Sequence, residues 1–293
     1  MIRALVLAAA VLAIAGCDRA EREPRVPQMP ILALAHVDEA VNHAIVWRGE
    51  LTQGGWIIGT VPPGTISLTL DGSDLAFDAQ GRFLAGFDRD AGASAGLVAK
   101  LADGSTVTRQ LAIAPRQWQI EHIDAARRGT GPSADFLKRR EPELAAIGAA
   151  RSKHTGAQGW MQNFVWPVRG RVSGRFGSQR VYRGEPGSYH SGMDITTGEG
   201  GTPFVAPADG VVVLAAQNFS LEGNLLILDH GQGLFSAFLH ASRLVVSEGD
   251  AVRQGQHIGN IGASGRATGP HLHWGITWQG ARLDPLLFVG PEK

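Results

Sequence analysis

The residues best suited to chemistry stand near the C-terminus, in Thr268-Gly269-Pro270-His271-Leu272-His273-Trp274-Gly275. Two imidazoles one residue apart point to the same side of an extended backbone. Gly269-Pro270 reads as the turn that delivers the chain into that strand. One ring of such a pair can ligate a metal while the other moves a proton. A His-x-His alone is a weak motif, so the remaining parts of a site have to come from elsewhere. Upstream lies His190-Ser191-Gly192-Met193-Asp194. A spacing of four shares a face on a helix and on a strand alike, and Gly192 with Ile195 and Thr196 favours extended backbone. A neutral imidazole and a carboxylate are ordinary zinc ligands. Adding one nitrogen from His271 or His273 makes three protein ligands, the arrangement of a hydrolytic site that keeps its fourth position for water. Spacing does not choose between those two rings. With His240, four histidines and one aspartate are available, and two imidazoles are left over for proton transfer or for an oxyanion.

The elements that must position these groups are strands. From Trp160 onward glycine and turn residues are frequent and helix-length periodicity is missing. The run from Leu225 to His240 reads as a hairpin with Gly231 to Gly233 at its tip, Ala208 to Leu214 as a strand after an Asp-Gly turn, and 178–189 as a polar loop. Residues 31–120 carry short apolar runs at 56–59, 65–70, 75–77, 96–99 and 107–113, with Asp71-Gly72 and Asp103-Gly104 as hairpin signals. This spacing predicts a small β-sandwich that offers no chemistry of its own. Residues 121–160 read as a helical connector, with helices after the Ser133 N-cap and again from Pro142. The remaining histidines, His36, His43, His122, His154, His230 and His257, read as structural or exposed, and Asp209, Asp229, Asp250 and Asp284 as turn residues. Gly198 to Gly201 is followed by no phosphate-loop lysine, so a nucleotide reading fails.

His190-x-x-x-Asp194, His240 after Phe238-Leu239, and Gly269-Pro270-His271-Leu272-His273, in that order, resemble the M23 (LytM/lysostaphin-type) zinc peptidases. The flanking runs 203–210, 229–233 and 249–256 are similar too, and the likeness extends from about Trp166 to Phe288. The region before it resembles, more weakly, what precedes the peptidase in a Gram-negative subgroup. The resemblance implies a mainly β chain whose C-terminal domain is a LytM-like antiparallel sheet with a groove over Zn2+. It implies that His190, Asp194 and His273 bind the zinc, and that His240 and His271 are the unliganded catalytic pair. Phe238 stands where many relatives have tyrosine, and Ala241 where many have leucine. The implied reaction is zinc-dependent hydrolysis of peptide cross-links in bacterial peptidoglycan, at a D-alanyl to diaminopimelate bond in a Gram-negative cell, with Tyr189 and Arg266 as candidates to touch the peptide stems. Some members have lost ligands and serve only as binding modules that regulate another cell-wall hydrolase; this chain keeps all three. The run 249–256 also resembles part of a lipoyl or biotinyl carrier, but no lysine stands between Lys153 and Lys293 to be modified.

Arg3 and the apolar run from Ala4 to Ala15 form a secretory leader. It ends in Ile14-Ala15-Gly16-Cys17, which resembles a bacterial lipobox. Cys17 is the chain's one cysteine, so no intrachain disulfide can form, and lipid attachment is the expected use of its thiol. The charged, proline-rich residues 18–30 read as a tether. The expected order is therefore leader 1–17, tether 18–30, β-sandwich 31–120, connector 121–160 and peptidase domain 161–293. The expected location is the cell envelope, held to the membrane through Cys17 and facing the periplasm, with a regulatory protein partner left open. With 27 basic and 27 acidic side chains, nothing asks for a nucleic-acid partner.

Overall fold

The computed structural model describes residues 44–125 and 132–291. The leader, the tether, Cys17, His36 and His43 lie outside the described residues. The C-terminal region is built on a large antiparallel sheet, with a smaller one of Pro203–Val205, His257–Asn260 and Arg243–Leu244 beside it in the chain. The strands of the large sheet run in the order Ala251–Val252, Gly210–Phe219, Gly223–Gly231, Leu234–Ala241, Leu272–Trp278, Met193–Thr196 and Arg171–Gly174, and Ala281–Leu283 also pairs with Leu272–Trp278. The two faces of this sheet are different environments. Leu226, Leu228, Phe238, Leu272, Trp274 and Ile276 point to the main core. Val213, Leu225, Ile227, Phe235 and Ala237 point to the other face, where the helix Ala134–Arg151 packs through Ala150 and Ile147. Leu234–Ala241 is therefore covered on both sides, which is why it reads as a nearly unbroken apolar run and not as an alternation.

That helix is single where two were expected. Ser133 caps it, its hydroxyl accepting from Phe136 N at 3.2 Å, and Pro142 lies inside it. Proline removes one backbone donor. Arg140, within the same helix, ties it to the sheet: its guanidinium bridges Glu143 and, with two bonds of 2.6 Å, Glu222 in the 219–223 turn. No described helix is long and apolar enough to cross a membrane.

Residues 46–112 form two antiparallel sheets, one of Val46–Gly49, Trp56–Thr60 and Arg82–Gly86, the other of Ser73–Asp74, Thr65–Leu70, Ser94–Leu101 and Thr106–Ala112. Arg82–Gly86 was not anticipated: four of its five residues are buried and show no alternation. Residues 75–77 form no strand; Phe77 makes one isolated bridge to Phe83. Ile57, Phe83 and Leu97 belong to the same apolar cluster as Trp274 and Ile276. Trp56 stacks on Phe288 at 5.0 Å and donates to the Leu287 carbonyl.

The segment 178–189 is more ordered than a polar loop. Gln179–Tyr182 pairs in parallel with Ile120–Ile123 and antiparallel with Glu185–Pro186. Asp229 and Asp284 are also more than turn residues. Both are buried; Asp229 Oδ2 accepts from Thr155 N and Oγ1, and Asp284 pairs with Arg116 at 2.8 Å.

Candidate metal centre

Asp194 and His273 stand directly opposite one another on neighbouring antiparallel strands. Their side chains therefore leave the same face of the sheet, the face that carries the helix, while Leu272 between the two histidines turns into the core. His190 precedes the Asp194 strand and is clamped at its backbone, its N donating to the Ser178 carbonyl and its carbonyl accepting from Gly177 N, both at 2.8 Å. The result is a tight triangle. His190 Nε2 is 3.0 Å from Asp194 Oδ1 and 3.0 Å from His273 Nδ1, and His273 Nδ1 is 2.9 Å from Asp194 Oδ1. These three residues form the one such set among the described residues.

The hydrogen bonds behind the triangle say what fits inside it. His190 Nδ1 lies 3.0 Å from the Arg175 carbonyl. A carbonyl only accepts, so Nδ1 carries the proton and Nε2 of the neutral ring presents a lone pair. That lone pair faces a carboxylate oxygen and a second imidazole nitrogen, an arrangement that needs positive charge at its centre. Two nitrogens and one oxygen are a donor set that zinc accepts. Gly174, paired with Asp194, leaves room for it: a β-carbon there would collide with Asp194 Oδ2 and sit 3.1 Å from His190 Cε1.

His271 and His240 flank the triangle without joining it. His271 Nε2 is 3.7 Å from Asp194 Oδ1, and its Nδ1 is 2.8 Å from the Gly269 carbonyl. His240 Nδ1 is 2.8 Å from the Ser264 carbonyl. The rings of His240 and His271 lie 4.9 Å apart, centre to centre. Each ring spends its Nδ1–H on a backbone carbonyl, and neither Nε2 makes a hydrogen bond among the described residues. His240 reaches its place through a bulge. The register between Gly223–Gly231 and Leu234–Ala241 shifts there, and His240 has φ +65°, with its N donating to the Glu222 carbonyl at 2.9 Å. A left-handed histidine in a strand stores about 1–3 kcal/mol of strain, which the surroundings have to hold. Phe238, the expected tyrosine position, turns away from the site and stacks on Phe204 at 5.5 Å. Ala241 is fully buried.

Burial works against charge throughout the cluster. It lowers the His240 and His273 pKa values below the ordinary range. Burial presses on His190 in the same direction, but the Asp194 carboxylate beside it wins and raises its pKa. Burial would raise Asp194; the His190 and His273 rings set against its Oδ1 reverse this and hold the carboxyl well below the usual range.

An open groove of about 740 Å³ leads along the triangle, and Glu121, Arg175, Arg180, Tyr189 and Arg266 line it beside His190 and Asp194. Tyr189 and Arg266 thus both border the site. Glu121 belongs to the segment after the N-terminal sheets and pairs with Arg180 at 2.7 Å. The carbonyls of Arg175, Gly269 and Ser264 had no signal in the sequence, because every residue type carries one. The one hint was Gly174, in the run Arg171-Val172-Ser173-Gly174-Arg175.

Residues 188–285 match the family model described as Peptidase family M23. A Pseudomonas aeruginosa protein named Lipoprotein NlpD/LppB homolog is 37% identical over 131 residues, 45% of this chain and 40% of its own length. Peptidoglycan DD-endopeptidase ShyA of Vibrio cholerae is 37% identical over 129 residues, 43% of this chain and 29% of its own. Murein hydrolase activator NlpD of Escherichia coli is 34% identical over 128 residues, 44% of this chain and 31% of its own. Each match thus spans well under half of the relative. A crystal structure assigned to peptidase M23 from Pseudomonas aeruginosa aligns with TM-score 0.63 and 27% identity over 82% of this chain and 96% of that one, so the likeness includes the N-terminal sheets.

Proposed function

Since the chain carries a peptidase M23 domain, we propose that it is a zinc-dependent endopeptidase that hydrolyses peptide cross-links in bacterial peptidoglycan. The observation that carries this reading is the paired construction of the site: a triangle of His190, Asp194 and His273 beside two histidines whose Nδ1 atoms are committed to carbonyls and whose Nε2 atoms make no hydrogen bond among the described residues. Zinc held there would polarise the scissile carbonyl and acidify the attacking water. The protein's own groups do the rest. His271 and His240 both enter as acceptors, because each Nδ1–H is committed to a carbonyl. His271, whose Nε2 lies 3.7 Å from Asp194 Oδ1, takes a proton from the water and returns it to the leaving amine, while His240 holds the water's second hydrogen. The open groove of about 740 Å³ beside the triangle, lined by Glu121, Tyr189 and Arg266 among others, is the surface on which the peptide would lie.

The relatives named as a lipoprotein and as peptidoglycan enzymes support a place in the cell envelope, with Cys17 as the lipid-bearing residue. A second reading, a module that regulates another cell-wall hydrolase, draws on the relatives named murein hydrolase activators. The intact ligand set favours hydrolysis over regulation. The experiment is digestion of purified cross-linked muropeptide dimers by zinc-loaded protein. Cleavage by the wild type and its loss in His271→Ala are expected. Intact dimers with both proteins would transfer support to the regulatory reading.

A further inference from the structure

We infer that the N-terminal sheets are part of the metal centre, and that Arg89 is a positioning residue for the ligand His190. The inference rests on the zinc reading above and concerns residues outside the span that matches the peptidase family.

His190 is the one member of the triangle that no sheet strand holds directly. Its backbone is gripped by residues 177 and 178, so its position is only as firm as theirs. Those residues are held in turn from the N-terminal sheets. The Arg89 guanidinium donates to the Gly177 carbonyl twice, through Nε and Nη2, both at 3.1 Å, and Nη2 also donates to Gln179 Oε1 at 3.1 Å. Arg89 is 6% exposed, and Asp90 takes its remaining arm at 2.6 Å. The planar group lies over the Tyr189 ring at 4.7 Å and the Trp118 ring at 5.2 Å, so it also packs on the residue next to His190. Gly177 has φ +78°, and a β-carbon there would run into the Trp118 ring. Asp88, the neighbour of Arg89, accepts from Tyr189 Oη at 3.4 Å and from Arg282 N at 2.8 Å. From Arg89 to the ligand is one continuous path: guanidinium, Gly177 carbonyl, Gly177 N–H, His190 carbonyl.

The chemistry requires an arginine. A buried cation is tolerated only when its donors are satisfied, and only a guanidinium offers a planar fork that can grip one carbonyl with two N–H groups and still stack between two rings. Its function is to fix where His190 Nε2 points, which is what supporting contacts do for metal ligands generally.

The test is made on the full chain with Arg89→Met, Arg89→Lys and, as a distant control, Arg82→Met, whose ion pair with Asp78 lies in the N-terminal sheets away from the groove. Zinc affinity is read by chelator competition, and ligand geometry by the visible absorption of the cobalt(II)-substituted protein. Circular dichroism and thermal melting report folding. Arg89→Met is expected to lose about 10- to 100-fold in zinc affinity and to alter the cobalt spectrum, with Arg89→Lys between it and the wild type and Arg82→Met unchanged. Wild-type affinity and spectrum in Arg89→Met would overturn the inference. If Arg89→Met does not fold, Arg89→Lys decides by the same readings. A wild-type protein that takes up no zinc or cobalt would instead remove the metal reading on which the inference stands.

Discussion

Two histidine clusters occupy opposite faces of one sheet, and they are built alike on one side and differently on the other. His230 sits in the core, fully buried, with Nδ1 2.8 Å from the Asp209 carbonyl. His240 and His271 use the same device with Ser264 and Gly269, at the same distance. The second nitrogen separates them. His230 Nε2 accepts from Ser236 Oγ at 2.8 Å, and Ser236 Oγ accepts from Trp274 Nε1 at 3.2 Å, so every polar atom of the cluster is satisfied. On the other face the Nε2 atoms of His240 and His271 make no hydrogen bond among the described residues. Adjacent residues, His273 and Trp274, belong one to each cluster, because side chains alternate along a strand. Burial by itself therefore does not mark a histidine as structural. What marks it is whether its second nitrogen has a partner.

The largest effects should follow from breaking the open cluster. Asp194→Ala removes the one carboxylate of the triangle. Zinc per chain, measured on dialysed protein by atomic absorption, should fall from stoichiometric to near none, and muropeptide cleavage with it. Zinc retained at one per chain would show that the ligand set is different. His271→Ala should separate binding from chemistry: zinc stays, while kcat falls about 10²- to 10⁴-fold, the usual contribution of a general acid–base group. If zinc is lost along with activity, His271 is holding metal and not moving protons.

The closed cluster answers to pH. Full burial pushes the His230 pKa down to about 4, from an ordinary value near 6.5. Between those values the unfolded chain binds a proton that the folded chain does not, so stability is complete above pH 6.5 and is lost as pH falls toward 4. The loss over that window is about 3 kcal/mol. Urea denaturation of metal-free wild type and His230→Gln at pH 7 and pH 4.5 isolates it. The wild type should lose about 2 kcal/mol more than the variant between the two pH values. Equal losses would mean that His230 is not held neutral by the fold.

The mainly β, antiparallel character of the C-terminal region was legible, because turn residues and apolar runs are local properties of a chain. So was the set from which a site could be assembled, since imidazole and carboxylate chemistry belongs to residue type and His190, Asp194, His240, His271 and His273 recur at revealing spacings. Choosing His273 over His271 as ligand needed the family resemblance, because both stand on the same side of an extended backbone. The rest depends on partners distant in sequence. Gln179–Tyr182 looks like loop until Ile120–Ile123 pairs with it. Arg82–Gly86 lacks alternation because both of its faces are covered. Arg89 stood in a region that promised no chemistry, and only its contacts with Gly177 and Tyr189 connect it to His190.

The smallest expected effect is the one that tests the separation of the two faces most closely. Ser236 is fully buried and is the hinge of the closed cluster, donating to His230 and accepting from Trp274. Ser236→Ala leaves the His230 Nε2 lone pair and the Trp274 Nε1–H without partners, in a place where water does not reach. Leaving a buried polar group unsatisfied costs about 1–3 kcal/mol, and partial relaxation around two such groups makes about 2 kcal/mol the expected loss in urea denaturation. Trp274 is bonded through the backbone to His273, so a shift of the indole in search of a partner would be felt at the proposed metal ligand. The strand resists this: Leu272–Trp278 is paired on one side with Leu234–Ala241 and on the other with Met193–Thr196, and Asp194 stands directly opposite His273. Zinc affinity should therefore stay within a few-fold of wild type while stability falls. If zinc affinity falls in proportion to stability, the two faces are energetically one unit, and the contrast between an open and a closed histidine cluster describes geometry without independence.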